Sequence, residues 1–142
     1  MPNLQRAIEI AVEAHKDQMQ KSGLPYILHP LSLMGALSST DAKIAAMLHD
    51  VVEDTAWTLD ELRAEGFAPE ILAAVDCLTH RNEEEYDAYI ERVSGNTLAR
   101  EVKLADLKDN MNSRRIPELK QKDLERLAKY HKAWFRLGGN LE

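Results

Sequence analysis

Apolar residues recur at intervals of three and four along most of the chain, and no extended β-branched run alternates apolar with polar positions. The pattern predicts an all-α protein. A first helix is expected near residues 3–19, ended by the turn Lys21-Ser22-Gly23-Leu24-Pro25, and a second from Pro30, a residue suited to the first helical position. His29 then sits at a helix entrance. A third helix should follow Asp41 and run to about Glu53. A fourth should follow Thr58, which has the capping-box spacing to Glu61. Pro69 opens a fifth, to about Thr79, and further helices are expected near 83–94, near 97–111 with Asn96 as cap, and near 121–137, stopping at Gly138-Gly139. With no repeat, linker or low-complexity stretch, the reading is one domain over residues 1–142, a single compact helical bundle.

Composition narrows this further. A chain of 142 residues, 44% hydrophobic, is enough for one ordinary core. Cys77 is the only cysteine, so no internal disulfide can form; a reducing compartment and a packing role are expected for it. No apolar run follows a basic start, and no stretch approaches the roughly 18 apolar residues of a membrane span, which predicts a soluble cytoplasmic protein without a membrane partner. A net charge of −6 argues against a general nucleic-acid binder, which needs a basic face to displace counterions. A small anionic ligand is compatible with it, since a few local cations suffice.

The third helix carries the first chemical signal. In Ile44-Ala45-Ala46-Met47-Leu48-His49-Asp50-Val51-Val52-Glu53-Asp54 a His-Asp pair interrupts a segment that is apolar on nearly every side. Burying an ionised carboxylate is costly unless it is paired or bound to a metal. The helix near 97–111 repeats the problem, because Asp106 adjoins the apolar stripe of Leu98, Val102 and Ala105, with Asp109 and Asn110 three and four residues on. His29 precedes a proline, which predicts an extended backbone there and a preset imidazole. Two imidazoles and two carboxylates, His29, His49, Asp50 and Asp106, suit Mn²⁺, Fe²⁺, Co²⁺ or Ni²⁺ with positions left for water and a substrate oxygen. Such a metal acidifies its water and neutralises a phosphate oxygen, so hydrolysis of a phosphate ester or anhydride follows. Glu53 and Asp54, on the same side of the helix, are the candidates to orient or deprotonate that water, and spacing does not divide the task between them.

Three stretches, Lys21-Ser22-Gly23-Leu24-Pro25-Tyr26-Ile27-Leu28-His29-Pro30, Leu48-His49-Asp50-Val51-Val52-Glu53-Asp54-Thr55 and Val102-Lys103-Leu104-Ala105-Asp106-Leu107-Lys108-Asp109-Asn110, resemble the HD-type hydrolase domain of the RelA/SpoT family in order and approximate spacing over roughly residues 3–115. The resemblance implies a Mn²⁺-dependent 3′-pyrophosphohydrolase of the alarmones ppGpp and pppGpp, with one metal on His29, His49, Asp50 and Asp106 and the water handled by Glu53 and Asp54. It also implies that Lys21 and Ser22 belong to the loop that contacts base and phosphates, that Asn110 lies near the sugar, and that Ser113 is a further ligand contact. Where the family's loop commonly has an arginine able to stack on guanine, this chain has Gln20, and an amide stacks less well. The length resembles that of the stand-alone small alarmone hydrolases.

Gln20 keeps a second substrate in view, NADPH or another nucleotide, and a nucleotide-sensing module without turnover is the reading from a different class. His15, on the inner side of the first helix, reads as a core or outer-shell histidine rather than a ligand. His80 and His131 read as solvated. Trp57, Trp134 and Phe135 read as packing anchors, and Glu83-Glu84-Glu85 as a wet helix start. Self-association into a homo-oligomer is left open.

Overall fold

The structure, a computed structural model, describes residues 3–141. Among these residues the regular elements are eight α-helices and one short 3₁₀ turn, joined by short loops. The helices are α1 Leu4–Ala14, α2 Leu28–Ala36, α3 Thr40–Asp54, α4 Leu59–Glu65, α5 Pro69–Leu78, α6 Tyr86–Ser94, α7 Thr97–Asn110 and α8 Gln121–Arg136; the 3₁₀ turn is Ser113–Arg115. The all-helical bundle expected from the apolar spacing is what the chain forms. No helix among the described residues is long and apolar enough to cross a membrane.

α3 is the central element. Its residues are buried without a break from Ile44 to Val51, and it packs on α1, α2, α5 and α7. A helix enclosed this way needs apolar side chains around its whole circumference, which is what Ala45, Ala46, Met47 and Leu48 supply. Ser39 caps it by accepting from the Ala42 amide at 3.1 Å, so the helix starts a turn's fraction before the expected point after Asp41. The capping box at Thr58 and Glu61 is present, as is the Asn96 cap on the Ala99 amide at 2.8 Å.

Several boundaries differ from the sequence reading. α1 ends at Ala14 rather than near residue 19, because the following backbone is drawn into a small hairpin: Asp17 takes a left-handed φ of 69°, the Tyr26 amide donates to the Gln18 carbonyl at 2.8 Å, and the Gln20 amide donates to that of Leu24 at 2.7 Å. Gly23, with φ of 86°, turns this hairpin over. α2 begins at Leu28, not Pro30, so His29 lies in the first helical turn instead of in an extended lead-in; Pro30 is tolerated because amides of a first turn need no intrahelical acceptor. α6 begins at Tyr86 rather than 83. Glu83 has a φ of 64°, and Glu84 is not wet as expected but is gripped by Arg92, whose Nε and Nη2 donate at 3.0 and 2.8 Å. Trp57 and Trp134 pack against the core, whereas Phe135 remains 40% exposed, its ring 5.0 Å from that of His131. Cys77 is half-buried, with its thiol against the Arg92 carbonyl.

Candidate metal centre and cleft

Helix packing brings the four expected ligands to one place. α3 contributes His49 and Asp50, α2 contributes His29 and α7 contributes Asp106, and all four are buried. His29, His49 and Asp50 each present a ligand atom within 4.8 Å of the others. Asp106 joins them: its Oδ1 lies 2.8 Å from His29 Nε2 and 3.7 Å from His49 Nε2. His49 Nδ1 lies 2.6 Å from the Ala46 carbonyl, one helical turn back, so this nitrogen donates to the backbone and Nε2 is the one left to face Asp50 and Asp106. Nε2 is fully buried and makes no hydrogen bond, although Asp50 Oδ2 is only 3.1 Å away. Two ligand atoms this close without hydrogen-bond alignment, one of them an orphan in a buried site, fit a shared cation rather than a donor and acceptor pair.

The electrostatics agree with that fit. Burial would raise the Asp50 carboxyl, but the His49 charge and the hydrogen bond from Tyr26 bring it down to about 2. Asp106 is held well below the usual carboxylate range against its burial, first by Lys103, whose Nζ stands 2.7 Å from Oδ2, then by His29 and His49. Burial would lower the two histidines. Instead His29 is pushed up to about 9 by Asp106 and Asp109, and His49 goes well above its ordinary value through Asp50 and Asp106. The metal-free cluster therefore holds protons where a divalent cation would sit, and a cation binding there displaces them.

Glu53 and Asp54 end α3, and both are solvent-reached. Their carboxyls are raised above the ordinary range by partial burial and by the Asp50 charge. Glu53 Oε1 accepts from the His80 amide at 3.1 Å, which fixes its orientation. His80 is exposed, as expected, with its ring 4.9 Å from that of Tyr89 and its Nε2 reaching the Glu84 carbonyl. His15 is buried at 2% exposure, stacks 4.9 Å from Tyr26 and stands outside the metal cluster.

A cleft of about 290 Å³ opens beside His29. The hairpin supplies Gln20, Lys21 and Ser22 to one wall, Asn110 with Arg115 forms another, and α8 closes it with Arg126 and Tyr130. Past Lys21 and Arg126 it continues into a shallower hollow of about 750 Å³ that gains Lys120 and Lys122. Lys21 points its amine at Asp123 Oδ1, 3.1 Å away, so α8 tethers the hairpin. Ser22 makes a long 3.4 Å bond to the Gln20 amide oxygen, and Asn110 donates to Asp106 Oδ1 at 3.0 Å. Ser113 lies in the 3₁₀ turn and is not among the cleft-lining residues; its neighbours Asn112 and Arg115 hold that wall.

Several residues now in or behind the site carried no role in the sequence reading. Tyr26 donates to Asp50 Oδ2, Lys103 pairs with Asp106, and Asp109 engages His29. Lys103 lies three residues before Asp106, on the same side of α7, where an opposite charge can pair with a buried acid. Arg126 and Tyr130 are four apart on α8, a spacing common to any helix face, and nothing local marks them.

Comparison with known proteins gives the same class. The HD domain family matches residues 7–103, and the chain belongs to that family. Among curated relatives it is 32% identical over 135 residues, 84% of this chain and 20% of the relative, to the guanosine-3′,5′-bis(diphosphate) 3′-pyrophosphohydrolase of Haemophilus influenzae. It is 32% identical over 153 residues, 96% of this chain and 18% of the relative, to the GTP pyrophosphokinase of Streptomyces coelicolor. The chain thus spans about a fifth of the length of these relatives. A solved structure described as a metazoan ortholog of SpoT that hydrolyses ppGpp superposes with a TM-score of 0.79 at 22% identity, covering 99% of this chain and 89% of that one, which shows the fold.

Proposed function

We propose that this chain is a metal-dependent phosphohydrolase that removes the 3′-pyrophosphate from ppGpp and pppGpp. The observation that carries the reading is the buried convergence of His29, His49, Asp50 and Asp106, with His49 Nε2 unpartnered, beside a cleft bordered by Lys21, Arg115 and Arg126. The names of relatives that hydrolyse the same alarmone support the substrate.

His29, His49, Asp50 and Asp106 would hold one Mn²⁺, the oxygen and imidazole set suiting that ion. A divalent cation in this position supplies Lewis acidity toward a phosphoryl oxygen and lowers the pKa of a bound water. The protein's own residues do the rest. Glu53 and Asp54, with raised carboxyl pKa values, accept and hold the proton of the attacking water, Glu53 being the better oriented through the His80 amide. Tyr26 holds Asp50, and Asn110 with Lys103 holds Asp106, so the ligand oxygens keep fixed directions. Lys21, Arg115 and Arg126 stand as three cations against the two acids they pair with, Asp109 and Asp123, a small local excess of positive charge in an otherwise acidic chain, which is what a small polyanion requires. The cleft by itself is at the small end for a nucleotide, and the adjoining hollow with Lys120 and Lys122 gives the second phosphate group room.

Gln20 on the cleft wall favours a second substrate reading, NADPH or another nucleotide with a 2′- or 3′-phosphate, because an amide offers no cationic plane for guanine. The deciding experiment supplies metal-stripped protein with Mn²⁺ and follows phosphate and pyrophosphate release from ppGpp, NADPH and simple nucleotides, with His49→Ala and Asp106→Ala as controls. Pyrophosphate from ppGpp that vanishes in both controls is the expected result. Phosphate from NADPH instead would keep the site and replace the substrate. No turnover of any of them, with tight binding of one, would replace the hydrolase by a nucleotide-sensing module.

A further inference from the structure

His29 is gripped on both ring nitrogens by acids from one helix. Asp106 and Asp109 are three residues apart on α7 and so lie on the same side, one turn apart. Asp106 Oδ1 stands 2.8 Å from Nε2 and Asp109 Oδ2 stands 2.5 Å from Nδ1. Asp109 is itself saturated. Arg115 reaches it end-on, Nη1 to Oδ2 at 2.8 Å and Nη2 to Oδ1 at 2.5 Å, and Ser32 Oγ donates to Oδ1 at 3.1 Å. An acid in the last turn of a helix opposes the helix dipole, so its place there has to be offset by partners, and here every partner traces back to His29 or to the brace around it.

We infer that Asp109 is a positioning residue for the metal site: it keeps the proton on Nδ1 of His29 so that the Nε2 lone pair faces the cation, and Arg115 with Ser32 locks its carboxylate in that orientation. The inference rests on reading His29 as a metal ligand. A carboxylate behind a ligating imidazole fixes the tautomer and the ring plane and makes the nitrogen a better donor, and loss of such a partner weakens metal binding about 10- to 100-fold. The bidentate fork matters because a carboxylate held at one oxygen could swing away from Nδ1, whereas one held at both cannot. Arg115 also borders the cleft, so the brace of the metal site is one of the groups an anionic substrate meets.

The test is Mn²⁺ binding by competition with a chelator, on metal-stripped wild type, Asp109→Ala, Asp109→Asn, Arg115→Lys and His29→Ala, with thermal unfolding of each metal-free protein alongside. Asp109→Ala should weaken Mn²⁺ by about 10- to 100-fold. Asp109→Asn, which keeps an acceptor oxygen for Nδ1, should fall between it and wild type, and Arg115→Lys, which keeps charge but not the fork, should also bind more weakly. A purely structural role would lower the unfolding temperature and leave the affinity of the folded protein unchanged, and that result overturns the inference. If His29→Ala loses Mn²⁺ while the Asp109 and Arg115 variants bind like wild type, the positioning role falls and the metal site stands. If His29→Ala binds like wild type, the metal assignment itself is what failed.

Discussion

Lys103→Met is the sharpest probe of how the buried charges balance. Lys103 is 9% exposed, its Nζ lies 2.7 Å from Asp106 Oδ2, and the amine stands over the Tyr89 ring, 5.3 Å from its centroid. Methionine keeps much of the stem's packing and removes the charge. Deleting one member of a buried ion pair costs about 3–5 kcal/mol, because the survivor is left uncompensated. Asp106 retains His29 and Asn110 as partners, which reduces the expected cost in metal-free protein to about 2–3 kcal/mol. For a domain of this length each kcal/mol moves the unfolding midpoint by about 4 °C, so the midpoint should drop by about 8–12 °C. The sign for metal binding is opposite. Removing a cation from beside the site takes away repulsion, so Mn²⁺ should bind the variant at least as tightly and restore more stability to it than to wild type. Scanning calorimetry of both proteins with and without saturating Mn²⁺ reads both effects. A metal-free variant as stable as wild type, or one that Mn²⁺ stabilises less, would refute the account of Asp106 as an acid held by Lys103 and shared with a cation.

Three further outcomes are expected. In metal-free protein His29 is raised from 6.5 to about 9, so its contribution to stability is fully present below about pH 6.5 and is lost as the pH rises through about 9; at some 1.4 kcal/mol per unit this amounts to about 3 kcal/mol. Urea midpoints at pH 6 and pH 9.5 should show that loss in metal-free protein and much less of it with Mn²⁺ bound, whereas a flat profile without metal would contradict it. Glu53→Gln should cut kcat by about 10²- to 10⁴-fold with Mn²⁺ affinity little changed, and Asp54→Asn measured beside it shows which acid carries the proton, the one with the smaller effect being the auxiliary. Gly139→Ala would place a Cβ 2.2 Å from the Trp134 ring, and the forced shift should cost about 1–3 kcal/mol and change the tryptophan fluorescence; an unchanged spectrum and midpoint would mean that the C-terminal turn does not hold Trp134 as described.

What the sequence determined by itself was whatever depends on neighbours along the chain. The three- and four-residue apolar spacing made the helices, the Thr58 and Asn96 caps set two of their starts, and the His49-Asp50 pair inside an apolar segment marked a buried polar site before any fold was known. Buried charge has to be compensated, so a lone sequence with such a pair already points to a partner or a cation. Local logic failed where a distant group won. Pro30 suggested an extended His29, but α2 extends past it toward Leu28; the Glu83-Glu84-Glu85 run suggested a helix start, but Arg92 captures Glu84 and a left-handed residue delays the helix to Tyr86. Only the tertiary structure could decide what lies across from the candidate metal cluster. The grip of Asp109 on His29 spans 80 residues, the Lys21 tether to Asp123 spans 102, and Arg126 with Tyr130 reaches the cleft because α8 packs on α7. A side chain's neighbours within a helix are fixed by its pitch, but its neighbours across helices depend on how whole apolar faces pack, and that is a property of the chain as a whole.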